Sequence, residues 1–463
     1  MRRLAVLGLD SVPPSLLFER LSGRLPHLSS LLRRGRYGAL RTCDPPITVP
    51  AWAVLFTGAD PGELGLYGFR HRRAGSYTDY YTPTPASLRR PPLWEMLSRR
   101  GLRVAVVGMP PGYPPPAVNG VYVGDFFTPE GAMDSVHPSS ARARYESALG
   151  EPLRFDLPFR KEDREGVFRG LLALERQRWA LAREIYQEER WDLFAVHDIA
   201  PDRFHHAFWK FFDPHHPRYD PRAFPGVLEQ FYAAVDEGVG RLLEVLDPES
   251  ELLLASDHGS KAMAGCFCTN EWLRDRGYLT LREDVPAGTP LESSPVDWTR
   301  TRVWGAGGYY ARLFFNLAGR EPHGIVPPSQ VASLVSELAQ DLTQVRSPNG
   351  SPLPFRLVDP HTAYRSVQGD APDLMAYFGD LDYRSAGTLG HHRWFLEEND
   401  TGPDDAVHDW NGFYLHVPPS APEGSGGPGP QESILDVAPT LLDLMGLPIP
   451  PTMQGRRIEG WRR

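Results

Sequence analysis

M-R-R-L-A-V-L-G-L-D, residues Met1 to Asp10, carries an apolar run that stops at Leu9, one residue before a carboxylate. A secretory leader needs about 7–15 apolar residues and a small-residue cleavage site, so the run reads as a buried first strand. Val104–Gly108, Asp192–Val196, Leu252–Ala255 and Gly412–Val417 have the same length and apolar character, and Leu374–Phe378 makes a sixth. Between them lie helical patterns. One runs from Phe168 to Glu188; another runs from Pro225 to Leu246, with Val227, Phe231, Val235, Val239, Leu242 and Leu246 at helical spacing. Strands alternating with helices predict an α/β fold, a mostly parallel central sheet with helices on both faces.

The 463 residues amount to about three domain lengths or one large α/β domain with insertions. We read residues 1–463 as a single catalytic domain. Within it, 262–371 lacks clean strand–helix alternation and is taken as a cap-like insertion. Lys and Arg number 49 against 58 Asp and Glu, a net charge of −9, which argues against a nucleic-acid polymer as partner. An anionic small molecule is still open, because a bound cation inverts the local field. Three cysteines, Cys43, Cys266 and Cys268, are too few for a disulfide framework. No run reaches the roughly 18–20 apolar residues of a membrane span, so the expectation is a cytoplasmic protein without a membrane partner.

In open parallel sheets ligands gather where loops leave the carboxyl ends of strands. Asp10 follows the first run, Ser256-Asp257-His258-Gly259 follow Leu252–Ala255, and His197-Asp198, then Asp202 and His206, follow Asp192–Val196. Carboxylates and imidazoles at one sheet edge suit Zn²⁺ or Mn²⁺. Each alone also has a plain reading as a turn, a cap or a solvated helix face. The segment P-P-I-T-V-P-A-W-A-V-L-F-T-G (Pro45–Gly58) places Thr48 at a helix start, with Pro50 in the first turn. Thr48 is either a capping residue or a hydroxyl presented to a phosphate by free backbone N–H groups.

Taken in chain order, the segments G-L-D-S (Gly8–Ser11), P-P-I-T-V-P-A-W (Pro45–Trp52), T-G-A-D-P (Thr57–Pro61), P-D-R-F-H-H-A-F-W (Pro201–Trp209), S-D-H-G (Ser256–Gly259), G-R-E-P-H-G-I-V (Gly319–Val326) and D-V-A-P-T-L-L-D-L-M-G-L-P (Asp436–Pro448) resemble the alkaline phosphatase superfamily, and within it the type I phosphodiesterase/nucleotide pyrophosphatase family. The resemblance implies a hydrolase of small-molecule phosphoesters with two divalent cations, Zn²⁺ or Mn²⁺. It implies Thr48 as nucleophile and a covalent phosphothreonine intermediate. By it, Asp10, Thr48, Asp257 and His258 would hold one cation, and Asp202, His206 and a later histidine the other. His391-His392 and His408 compete for that last place; His408, just before a Gly and a final apolar strand, matches the family arrangement, with His392 in reserve. The acidic stretch Glu397–Asp405 is read as shaping the loop that presents His408.

The chain departs from the family pattern at Leu64-Gly65, where a His-Gly is usual, and at Phe69-Arg70, near where nucleotide pyrophosphatases carry an Asn against the phosphoryl group. Nucleotide specificity therefore does not follow. Arg70, Arg72 and Arg73 are read either as phosphate contacts or as a solvated face. A monoesterase, a phosphomutase of the same superfamily and a catalytically silent binding protein are the alternatives. A sulfatase does not fit, because Thr48-Val-Pro50-Ala-Trp52 lacks both the modifiable residue and the Arg. Lys161, Lys210 and Lys261, the only lysines, are not followed by Ser or Thr, which excludes a P-loop. Nothing in the sequence sets the oligomeric state.

Overall fold

The computed structural model describes residues 2–461. The run Leu4–Leu9 forms the middle of a ten-stranded sheet. Parallel neighbours Glu251–Ala255 and Leu193–Asp198 flank it, with Val104–Val107 and Gly120–Val123 continuing in parallel beyond the latter. On the other side Asn411–Val417 runs antiparallel to Glu251–Ala255 and pairs with Arg36–Arg41. The sheet is buried on both faces, because strand side chains alternate. Ala5, Leu7 and Leu9 pack under the helices Arg164–Glu188, Ala200–Phe212 and Val227–Leu243, while Leu4 and Val6 pack under Thr48–Thr57 and Val437–Leu444. The two predicted helices thus start within a few residues of their expected places.

Leu374–Phe378 is a strand, but it belongs to a second, seven-stranded sheet rather than the central one. That sheet is built wholly from strands between Gly265 and Leu396, so it continues past residue 371, where the insertion was expected to end. It has its own core around Trp272, Trp304 and Phe314, closed by the helix Val331–Leu342. The chain leaves for this lobe through the strand Gly259–Ala262 and returns through Ala406–Asp409. These two strands pair antiparallel, Ala262 opposite Ala406 and Ser260 opposite His408. Among the described residues no helix is long and apolar enough to cross a membrane.

Candidate metal centre

Register puts Gly8 opposite both His197 and Ala255, so Asp10, the His197-Asp198 pair and Asp257-His258 leave the sheet side by side. Gly8 is required there, since a Cβ would lie 2.4 Å from the ring of Trp52. The helix Ala200–Phe212 starts under the same edge, its Ala200 N–H donating to Asp198 at 3.0 Å. Asp202 and His206, four apart on it, share one face. The paired strand then brings in His408 opposite Ser260. All eight of these acidic and imidazole side chains are buried.

The hydrogen bonds follow one pattern. Each carboxylate has one oxygen engaged and the other free. Asp10 Oδ2 accepts from Trp52 Nε1 at 2.8 Å and faces His197 Nε2 at 2.7 Å; Asp202 Oδ2 accepts from Arg203 at 2.8 Å; Asp257 Oδ1 accepts from the Ser11 N–H at 3.4 Å. Ser11 reaches that position in a left-handed conformation, φ 66°. Asp10 Oδ1, Asp202 Oδ1, Asp257 Oδ2 and His408 Nε2 are buried without a hydrogen-bond partner. The imidazoles repeat the arrangement, with Nδ1 donating to an acceptor behind each ring. His206 Nδ1 lies 2.7 Å from Asp404 Oδ1, His258 Nδ1 3.0 Å from the Gly259 carbonyl and His408 Nδ1 2.6 Å from the Pro46 carbonyl. That fixes the tautomer whose Nε2 lone pair points inward, the state a metal ligand needs.

The free atoms converge. Asp202, His206 and His408 present ligand atoms within 4.8 Å of one another, as do Asp10, Asp202 and His258. Asp202 therefore stands at a corner common to both groups, and Asp257 Oδ2 lies 3.4 Å from His258 Nε2. Burial raises the Asp257 carboxyl well above the usual carboxylate range, and the charge of Asp10 adds to it. Burial, with His258 next to it, holds the His408 imidazole well below its ordinary value. The Asp257 carboxylate calls for positive charge while the His408 imidazole refuses a proton. A divalent cation meets both demands, so the residues present fit the ions that the resemblance implies.

Thr48 is the first residue of the helix Thr48–Thr57; Ile47 takes the capping position, and no side-chain cap bond forms. The hydroxyl is turned instead to His258, Oγ1 to Nε2 at 3.2 Å. From the second lobe, Tyr309 stacks on His408 with ring centres 3.7 Å apart, and its hydroxyl lies 3.0 Å from His206 Nε2. Asp404 ties this side together, accepting from Arg160 and from Arg384 at 2.9 Å each as well as from His206. Burial alone would raise the Asp404 carboxyl, but His206, Arg160 and Arg384 outweigh burial and hold it below the usual range.

A family model described as type I phosphodiesterase / nucleotide pyrophosphatase matches residues 4–408, a span that runs from the first strand to the last clustered histidine. The chain belongs to that family. It is a phosphoester hydrolase of the phosphodiesterase/pyrophosphatase type. Among solved structures it is similar to phosphonoacetate hydrolase from Sinorhizobium meliloti in complex with phosphonoformate, at 15% identity and TM-score 0.61, over 96% of this chain and 95% of that one. Human ectonucleotide pyrophosphatase/phosphodiesterase 5 is 12% identical with TM-score 0.55, over 97% and 96%. An inactive threonine-to-alanine form of its murine counterpart, in complex with AMP, is 11% identical with TM-score 0.55, over 97% and 96%. At these identities the likeness is one of fold. No curated protein matches the chain significantly.

Of the residues singled out from the sequence, Asp10, Thr48, Asp202, His206, Asp257, His258 and His408 come together in this member of the family. His392 does not: it is exposed on the second lobe, in contact with Arg274 at 3.1 Å. The arginine run splits three ways. Arg72 is buried against Trp304 and Phe314 and paired with Glu321; Arg73 is exposed and pairs with Asp79; Arg70 lines a cavity beside the centre. Tyr309, Asp404, Arg160 and Arg384 were not named from the sequence. Asp404 lies in the acidic stretch read as shaping the His408 loop, and it holds His206.

Proposed function

We propose that this hydrolase cleaves phosphodiesters with Thr48 as nucleophile, at a centre of two divalent cations. The observation that carries this reading is the set of buried ligand atoms left free around Thr48: Asp10 Oδ1, Asp202 Oδ1, Asp257 Oδ2 and His408 Nε2. Asp10, Thr48, Asp257 and His258 would hold one ion, and Asp202, His206 and His408 the other. A donor set of Asp and His with one hydroxyl suits Zn²⁺, with Mn²⁺ second. The ions would supply Lewis acidity, lowering the pKa of the Thr48 hydroxyl and offsetting charge on the phosphoryl oxygens.

The chain's own groups do the rest. The helix start aims Thr48 Oγ1 at the centre, and the first-turn N–H groups of Thr48 and Val49, which have no acceptor within the helix, favour phosphate oxygens. Oγ1 gives up its proton to solvent and forms a bond to phosphorus as the bond to the departing alcohol oxygen breaks, that oxygen taking a proton from solvent. Water then cleaves the phosphothreonine ester, releasing the phosphomonoester and restoring the Thr48 hydroxyl. The inactive threonine-to-alanine form of the murine relative supports the role of Thr48. Thr48→Ala should abolish turnover of a bis-aryl phosphate while metal analysis finds the same ion content as in the wild type. Full activity in that variant sinks the nucleophile. A mono-aryl phosphate turned over faster than the bis-aryl ester moves the enzyme to the monoesterases.

A further inference from the structure

Beside the candidate centre a cavity of about 620 Å³ opens between Ile47, next to Thr48, and Tyr309 of the second lobe. Its wall carries Arg70, Arg160, Arg203, Arg312 and Arg384, against Glu292 and Asp400. Three of these guanidiniums have carboxylate partners behind the wall. Arg160 and Arg384 bind Asp404, and Arg203 binds Asp156 and Asp202. The other two do not. Arg312 donates only to neutral carbonyls, those of Arg70 and, at 3.4 Å, of Gly307. Among the described residues the Arg70 side chain has no hydrogen bond or ion pair. Asp400 forms no ion pair with either; its Oδ2 accepts from the N–H groups of Gly387 and Thr388 and from the Thr388 hydroxyl at 2.8 Å. Arg384 lines the same space, is 5% exposed, and its Nε is buried without a partner.

Guanidiniums that line a cavity without a carboxylate partner are free to take an anion, and their planar forks match carboxylate and phosphate oxygens. Arg312 comes from the strand Ala311–Phe315 of the second sheet, whereas Arg70 belongs to the chain that follows the Thr48 helix. The carbonyl of Arg70 accepts from Arg312, which keeps the two side by side. We propose that the substrate bears a second anionic group, a carboxylate or a phosphate, away from the reacting phosphorus, and that Arg70 and Arg312 bind it. This rests on the phosphodiesterase reading and narrows its substrate class.

The test uses three phosphodiesters that share one 4-nitrophenyl group and differ in the other alcohol: propyl, 3-carboxypropyl and 3-phosphopropyl. The full chain, supplied with Zn²⁺ or Mn²⁺, should favour an anionic ester over the propyl ester by about tenfold or more in kcat/KM, chiefly through KM, and the preferred arm tells carboxylate from phosphate. In Arg70→Gln, a change at an exposed side chain without partners, and in Arg312→Lys, that ratio should collapse towards one. Turnover of all three at equal kcat/KM, or a ratio that survives in both variants, overturns the proposal and leaves the hydrolase standing. No turnover of any ester removes the phosphodiesterase reading, and the proposal with it.

Discussion

Asp404→Asn changes one atom and should cost both stability and metal affinity. Oδ1 of the carboxylate takes His206 Nδ1–H, and Oδ2 takes Arg160 and Arg384. An asparagine has one oxygen and one NH₂ for these two duties. If the oxygen stays with the arginines, the NH₂ confronts Nδ1–H and pushes the proton towards Nε2, which then has no lone pair for a cation. If the oxygen stays with His206, the NH₂ faces two guanidiniums. Losing one partner from a buried charged network costs about 3–5 kcal/mol, and losing the group behind a metal-binding histidine costs about 10–100-fold in affinity. Urea unfolding gives the first quantity, and Zn²⁺ titration against a competing chelator gives the second. Asp405, one residue on, is the control. Its oxygens make no hydrogen bond, its cations Lys210, Arg218 and Arg164 stand 3.3 to 3.7 Å away, and burial outweighs them and pushes its carboxyl up to about 6. Because the folded value exceeds the unfolded one of about 3.9, the native state binds the extra proton between them, and stability falls as pH rises through that window. Asp405→Asn should therefore cost much less than Asp404→Asn at neutral pH. Wild-type Zn²⁺ affinity in Asp404→Asn would refute the reasoning.

Other expectations are as concrete. His408→Ala should lower the bound ion content measured on the purified protein, and His392→Ala should leave it alone; the reverse result would return the last ligand to the second lobe. Gly8→Ala drives a Cβ to within 2.4 Å of Trp52, whose indole holds Asp10, so it should lose about 1–3 kcal/mol and weaken metal binding together. A stability loss with metal affinity untouched would show that Trp52 does not position Asp10. Buried His71, whose Nε2 accepts the Tyr67 N–H at 2.8 Å, is held down to about 3 by burial, with Arg312 adding to the effect. The unfolded chain then binds the extra proton between about pH 3 and 6.5, so this contribution is complete above that window and is lost as pH falls through it. Thermal melts from pH 7 to pH 4 should show a steeper decline for the wild type than for His71→Gln, and parallel curves would exclude His71 as the source.

The parts of the centre that sequence patterns reveal are those with local signatures. Asp10 and Asp257-His258 end apolar runs, and Asp202 and His206 are one helical turn apart. Their convergence then follows from a parallel sheet, whose carboxyl ends share an edge. Thr48 has two readings in sequence because a cap and a presented hydroxyl occupy the same place; one residue of shift, with Ile47 in the capping position, separates them. Tyr309, Arg160, Arg384 and the grip of Asp404 on His206 carry no such signature, since each contact joins segments remote in the chain and depends on how the second lobe sits. Leu374–Phe378 shows the same limit. An apolar run reads as a buried strand in either sheet, and only the pairing tells which. The arginines at 70, 72 and 73 share two readings, phosphate contact or solvated face, and have three fates, because charge alone does not say which side chain meets Glu321, which meets solvent and which meets a cavity.

The four-rung ladder between Gly259–Ala262 and Ala406–Asp409 does more than deliver His408. It closes the neck of the second lobe, since the excursion begins and ends on facing rungs, Ala262 across from Ala406. Loops threaded between those rungs away from the centre can lengthen or shrink while His258 and His408 keep their stack, ring centres 3.9 Å apart. The chemistry and the choice of what it acts on are thus soldered at one seam. Tyr309, Arg384 and Asp404 lie within the excursion and reach back to the centre, so an exchanged lobe would have to supply their equals.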